Sequence, residues 1–190
     1  MSQNLGFLFG ITNFLWFLSE IMLNRLLRTK TGDKQNADKG TLAAIWITIV
    51  VCISLSVYIS IVNQYRIADN LMIPYLGLSV VNIGIVFRLL SVRSLGKFFT
   101  VSVTIRQDHQ LKTDGFYKYL RHPSYAASLI SFVGLGVALN NWISLGLLSV
   151  AIFSVFVIRI RVEEKVLVEQ FGDQYLEYKK STWALIPFVF

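Results

Sequence analysis

Five apolar blocks divide the chain, and their lengths predict its elements. Leu5 to Leu23 is apolar apart from Thr12, Asn13, Ser19, Glu20 and small residues. Leu42 to Val62 carries no charge at all. Leu71 to Leu90 is interrupted only by Asn82 and, near its end, Arg88. Pro123 to Leu139 and Trp142 to Ile158 form the fourth and fifth blocks. At 1.5 Å per residue the last two reach about 25 Å, just enough for a hydrocarbon core. Only Asn140 and Asn141 separate them, which predicts a tight antiparallel helical hairpin. Ser128, Ser131, Gly134 and Gly136 on the fourth block would let helix backbones approach closely.

Composition agrees with this pattern. Of 190 residues, 54% are hydrophobic and 15% charged. Soluble domains run near 25% charged, so this chain lacks the charge to cover a globular surface. Disorder and a disulfide scaffold are excluded, the latter because there is a single cysteine, Cys52. Cys52 sits mid-span with no Cys or His nearby in sequence and is expected to be a packing residue.

The net charge of +7 is a topology signal. Seventeen of the eighteen basic residues fall between spans one and two, from the end of span three to span four, or after span five. Arg66 stands alone on the opposite side. The rule that cytoplasmic loops are basic then places the N-terminus outside and the C-terminus in the cytoplasm. A nucleic-acid patch would not need this alternation, so no nucleic-acid partner is expected. The first span has no preceding basic residue and no small-x-small site after it, unlike a cleaved signal peptide.

Chemistry concentrates in the second half. Residues 106–124 hold both histidines, His109 and His122, with Tyr117 and Tyr119 between them and Gly115 to permit a turn. Pro123 suits the first turn of a helix, which puts Arg121 and His122 at its N-terminus by the bilayer edge. Unsatisfied backbone N–H groups there favour an anion such as a carboxylate or phosphate. The same residues would equally serve by snorkelling to headgroups and capping the helix. Beyond span five, Arg159 and Glu163 share a helix face, with Arg161 and Glu164 beside them. They could hold an anionic group at the membrane edge, or form an ordinary juxtamembrane ion pair. Leu167, Phe171 and Tyr175, with Val168 and Tyr178 near the same stripe, predict an amphipathic helix interrupted by Gly172. Glu20 is a functional candidate as an intramembrane acid, although near an edge it can reach water.

Several of these segments together resemble the isoprenylcysteine carboxyl methyltransferase family. They are His109-Gln110-Leu111-Lys112, Gly115-Phe116-Tyr117, Arg121-His122-Pro123-Ser124-Tyr125, Arg159-x-x-x-Glu163-Glu164, the run Phe171 to Tyr178, and Leu185-Ile186-Pro187. The match covers about residues 95–190, and order and spacing both agree. Departures are Lys112 for a small apolar residue, Ala126 for a frequent Gly, and Trp183-Ala184 where many members carry an arginine.

The resemblance implies an all-α integral membrane fold of five transmembrane helices. A C-terminal helical hairpin and an amphipathic tail helix would enclose S-adenosylmethionine, the methyl donor. Residues 1–94 would supply three N-terminal helices and residues 95–190 the catalytic region. Cofactor contacts carry over to His109, Gln110, Leu111, Lys112, Tyr117, Arg121, His122, Pro123, Ser124 and Glu163. Arg159 would bind and orient the substrate, and Glu164 is the second acid of the catalytic pair. The expected partners are a lipophilic or prenylated acceptor and membrane lipids, with no metal. Five helices suit the short prokaryotic members, so the expected location is a prokaryotic cell membrane with the site on the cytoplasmic side. A carboxylate acceptor is already ionised at neutral pH and needs no base. The rival acceptors, phospholipid amines and phenolic or pyrone lipids, would need one, from Glu164 or a tyrosine. A non-catalytic membrane scaffold is the remaining alternative.

Overall fold

The structure is a computed structural model that describes residues 3–26, 41–96 and 111–190. The polar loop Thr31–Gly40 lies outside the described residues. The described residues form six α-helices: α1 (Gln3–Leu26), α2 (Thr41–Val62), α3 (Met72–Leu95), α4 (Pro123–Ala138), α5 (Trp142–Phe171) and α6 (Asp173–Lys180). A 3-10 turn, Gly115–Lys118, precedes α4. The described residues contain no strand, only two isolated bridges.

Among the described residues four helices, α1, α2, α3 and α5, are long and apolar enough to cross a membrane. The 16 residues of α4 make it the short member of the set. All five expected spans are therefore helical, and α4 and α5 form the expected hairpin. The expected amphipathic tail, interrupted at Gly172, is continuous with the last span. Nothing breaks α5 at the membrane edge, so its 30 residues run on for about 45 Å and absorb Leu167 and Phe171. The break comes at Gly172, in the left-handed region at φ 53°, where a glycine costs nothing sterically. The amphipathic tail is thus the end of α5 plus the short α6.

Packing is densest where α3 meets α4, with α5 against α4, α2 against α5 and α1 against α3. Small residues make the α3–α4 seam. A Cβ on Gly134 would lie 2.6 Å from the Val81 backbone nitrogen, and one on Gly77 or Gly84 would collide with α4. Between helices in lipid there is little hydrophobic driving force, so close backbone approach supplies the attraction. Cys52 is buried in the core with Ile152, Phe156 and Leu129, as a packing residue should be.

Asparagines secure the end of the hairpin remote from the chemistry. Asn141 accepts from the backbone N–H groups of Ile143 and Ser144 at 3.0 and 3.1 Å and so caps α5. Its amide donates to the Asn63 carbonyl, while Asn140, at φ 50°, exchanges hydrogen bonds with the Ala68 backbone. The loop after α2 is thereby clasped to the hairpin turn. At the other end, the segment after α6 lies beside the one before α4. Arg121 N–H donates to the Trp183 carbonyl, His122 N–H to Ala184, and Trp183 N–H to Tyr119.

Gly134→Leu should open the α3–α4 seam, at a cost no smaller than the ~1–3 kcal/mol of an overpacked core. Thermal unfolding in detergent checks this. Substitution of Gly146, whose Cβ would meet nothing within 4 Å, is the control and should leave the midpoint nearly unchanged.

Candidate active site

The ends of the helices that carry polar residues converge on one side of the molecule. Arg88 lies near the end of α3, His122 directly before α4, and Arg159 to Glu164 in the second half of α5. His122 is the N-cap residue of α4, with Pro123 in the first turn as the sequence predicts. The hydrogen bonds that the Arg121 and His122 N–H groups donate to the tail carbonyls fix the backbone from which both side chains project.

Glu164 is the hub of the first network. Its Oε1 is 2.6 Å from Arg121 Nε, and its Oε2 is 2.7 Å from Lys179 Nζ. Arg121 also donates to the Thr182 carbonyl, and Thr182 Oγ1 donates to the Tyr178 carbonyl at 2.6 Å. Tyr178 Oη in turn donates to the Tyr117 carbonyl. These contacts lock α6 and the 3-10 turn over the start of α4.

A second network joins α4 to α5. Arg159 is only 1% exposed. Its Nε donates to Tyr125 Oη at 3.3 Å, and Tyr125 Oη donates to Glu163 Oε2 at 3.1 Å. The helical spacing of Arg159 and Glu163 thus brings them together through a tyrosine supplied by the neighbouring helix. His122 Nδ1 is 3.9 Å from Glu163 Oε1, so the two networks meet at His122.

Both networks border one cavity of roughly 370 Å³, within the range of small-molecule sites. Leu111, Lys112, Tyr117, Arg121, His122, Pro123, Ser124, Arg159 and Glu163 all contribute to its wall, so the structure gathers these sequence-predicted residues together. His109 and Gln110 lie outside the described residues. Glu164 is the exception. It is not part of the wall, and its oxygens face Arg121 and Lys179. The base considered for it therefore lacks a substrate-facing atom. The opposite wall is apolar and comes from α1 and α2, including Trp16, Phe17, Ile45, Trp46 and Ile49.

Three polar atoms of cavity-lining residues are buried without a geometrically sound hydrogen bond: Arg88 Nε, which is nonetheless in ion-pair contact with Glu20, and His122 Nε2 and Tyr175 Oη. His122 Nε2 lies 3.5 Å from Glu164 Oε1, outside hydrogen-bond geometry. A buried polar atom left unsatisfied costs about 1–3 kcal/mol, and such atoms mark places where a ligand supplies the partner. Burial pushes the Tyr175 phenol far above its ordinary value and that of Tyr178 up to about 12. Both phenols therefore remain protonated donors at neutral pH.

Tyr125, Tyr175 and Tyr178 fall within the sequence motifs, which assign them no site role. For Tyr175 and Tyr178 the apolar stripe was the available signal, and it reads equally well as packing. For Tyr125 there was none beyond its neighbours, since a bridge between helices has no spacing along the chain.

Comparisons with known proteins bear on what such a cavity does. The phospholipid methyltransferase family profile matches residues 72–174. Protein-S-isoprenylcysteine O-methyltransferase B of Arabidopsis thaliana is 35% identical over 160 residues, covering 80% of this chain and 81% of the relative. The Saccharomyces cerevisiae protein-S-isoprenylcysteine O-methyltransferase is 34% identical over 128 residues, covering 66% and 53%. Among solved structures, the eukaryotic intramembrane Ras methyltransferase, isoprenylcysteine carboxyl methyltransferase, matches with a TM-score of 0.66 and 27% identity. That match covers 80% of this chain, which spans about half of the solved one (54%). A relative this similar over four fifths of both lengths, the helical membrane architecture and the family profile agree: the chain belongs to the isoprenylcysteine carboxyl methyltransferase family and is a multi-pass integral membrane methyltransferase.

Proposed function

We propose that the protein transfers a methyl group from S-adenosylmethionine to the carboxylate of a lipophilic, isoprenylcysteine-like acceptor. The observation that carries this reading is the two-sided cavity. One wall is polar and comes from the 3-10 turn, the start of α4, the end of α5 and α6; the other is apolar and comes from α1 and α2. A water-soluble donor suits the first and a lipid tail the second.

The donor set fits S-adenosylmethionine on the evidence of its own unsatisfied atoms, His122 Nε2 and Tyr175 Oη. His122, Tyr175 and Arg121 suit the methionyl carboxylate, since all present N–H or O–H groups. Glu163 suits the cationic or hydroxyl-bearing part. Leu111, Lys112, Tyr117, Pro123 and Ser124 complete the wall, and His109 and Gln110 join this set by family resemblance. When bound, the cofactor supplies an electrophilic sulfonium methyl.

The chain's own task is alignment. Arg159 holds the acceptor carboxylate by charge-assisted hydrogen bonds. That charge lowers nucleophilicity somewhat, so its role is orientation. Tyr125 fixes the Arg159 guanidinium and ties it to Glu163, which sets the distance between acceptor and donor subsites. An acceptor already ionised leaves no proton to remove, and Glu164 then serves by holding Arg121 and Lys179 in place. An amine or phenol acceptor would need a base, which the buried position of Glu164 does not favour. The basic-loop asymmetry supports a cytoplasmic site. Residues 1–94 then supply most of the apolar acceptor wall, and residues 95–190 the donor wall together with Arg159, which holds the acceptor carboxylate.

Thermal unfolding with S-adenosylhomocysteine should show stabilisation of about 2.7 kcal/mol at 100 times the dissociation constant. No shift at millimolar ligand would overturn the cofactor assignment. A radiolabelled methyl assay with a prenylated cysteine should give a base-labile ester; a base-stable product would overturn the carboxylate assignment. Arg159→Ala should lower turnover by about 10²-fold or more, with cofactor affinity nearly intact by calorimetry. Tyr175→Phe should weaken cofactor binding by roughly 3- to 10-fold, the worth of one hydrogen bond. Without ligand the same variant should be as stable as the wild type, because the deleted oxygen has no partner to lose.

A further inference from the structure

The tail beyond α6 contains a turn, Leu185 to Phe190, none of whose residues lines the cavity. Its backbone closes on itself. The N–H groups of Leu185 and Ile186 donate to the Phe190 carbonyl at 2.8 and 2.9 Å, and those of Val189 and Phe190 to the Ile186 carbonyl at 3.1 and 3.0 Å. Pro187 has no N–H to satisfy. Leu185 is buried in the helical core, and Phe190 packs against it. Two other side chains face outward: Phe188 is 85% exposed and Val189 73%. Phe188 also holds φ 66°, a left-handed conformation that is an outlier for a bulky side chain.

The level of the turn along α5 decides what surrounds it. The Phe190 ring meets Phe153 edge-on, with centroids 6.3 Å apart. Phe153 is eight residues, about 12 Å, before Arg161, the first exposed charge on α5. It therefore lies inside the apolar stretch of a helix able to cross a membrane. The tail approaches that level in order. Lys180 pairs with Glu177 at an exposed place on α6, the Trp183 ring follows and contacts Phe188 at 5.2 Å, and Phe190 reaches Phe153. Charge, then tryptophan, then aliphatic and phenyl groups is the sequence from water through the interface into a bilayer. In lipid a backbone N–H must find its partner within the protein, and the four hydrogen bonds of the turn meet that demand. In water a glycine would make the same turn without strain. A phenylalanine at that position calls for a compensating gain, which burial of its ring in lipid supplies.

The same tail carries the Trp183 and Ala184 carbonyls that accept from the Arg121 and His122 N–H groups. Whatever steadies the turn therefore steadies the polar wall of the cavity.

We propose that the turn Leu185–Phe190 is a membrane anchor. Phe188 and Val189 insert among the acyl chains of the leaflet nearest the polar wall, and this insertion holds the tail against Arg121 and His122. The anchor stands on the turn itself; its effect on the donor subsite rests on the cofactor reading above.

Spin labels at single cysteines in a Cys52→Ala background, with the protein in lipid nanodiscs, test the anchor. A label at Phe188→Cys should collide more with oxygen than with a water-soluble nickel chelate. Ile158→Cys, on the exposed side of α5, is the lipid control, and Lys180→Cys, which should show the reverse preference, is the water control. A label at position 188 that behaves like the one at 180, or that is shielded from both reagents by a second protein, would overturn the anchor. Phe188→Asp should weaken S-adenosylhomocysteine binding by about tenfold or more, because a carboxylate is expelled from the apolar layer and draws the tail with it. Phe188→Leu should bind as the wild type does. Phe188→Ser removes the ring without adding charge; it should give a smaller loss in the same direction and covers the case in which the aspartate variant fails to fold. Unchanged affinity in the aspartate and serine variants would overturn the link to the donor subsite. A wild type without affinity for S-adenosylhomocysteine would overturn the cofactor reading and that link, while the collision data still decide the anchor.

Discussion

A charge inside a low-dielectric layer must be paired, hydrated or neutralised, and this constraint shapes the structure. Arg159 is buried on a helix apolar enough to span a bilayer. It persists there because α4 brings Tyr125 to its guanidinium and Glu163 follows one turn later on α5. Arg88 is in the same position on α3 and is met by Glu20 and two serines. Arg121 and Lys179 share Glu164. Each of these three arginines meets a partner from another element, so satisfying the charges also assembles the site. Deleting one partner would leave a buried charge uncompensated, which is far more disruptive than losing a surface ion pair.

The helix arrangement follows from the same requirement. The glycine and serine seam of α3 and α4 brings backbones close, which lets Arg88 reach Ser124 and Ser128 across it. The asparagine clasp fixes the distal end of the hairpin, and the backbone hydrogen bonds between residues 119–122 and 183–184 fix the proximal end. Held at both ends, α4 presents His122 and Tyr125 to α5 in one register. The outer helices α1 and α2 pack on α3 and α5 and keep many side chains turned outward, Phe7, Phe14, Ile47 and Ile61 among them. Their inward faces complete the apolar wall.

Much of this was legible in the chain. Hydrophobic block length locates all five spans because a bilayer imposes a minimum helix length. The motif spacing gathers Tyr117, Arg121, His122, Arg159 and Glu163, and the cavity contains all of them. What could not be read depends on contacts between elements. Glu163 and Glu164 are adjacent and chemically alike, yet α5 turns one toward the cavity and the other toward Arg121 and Lys179. The phase of a helix against its neighbours decides this, and sequence spacing leaves that phase undetermined. Glu20 and Arg88 are separated by 68 positions, so nothing local announces their pairing. The membrane-edge end of α5 was invisible for a related reason. Continuing a helix into water needs no signal, whereas stopping it needs Gly172.

The central claim is that one cavity receives a water-soluble donor at its polar wall and a lipid tail at its apolar wall. Photo-crosslinking with both ligands present tests it most directly. An acceptor analogue with a diazirine at the end of its prenyl chain should label peptides of α1 and α2, around Trp16 and Ile49. An azido-adenosine analogue of the cofactor should label the 3-10 turn, α6 or the end of α5 in the same molecules. Labelling of one common segment, with each probe displacing the other, would contradict the account.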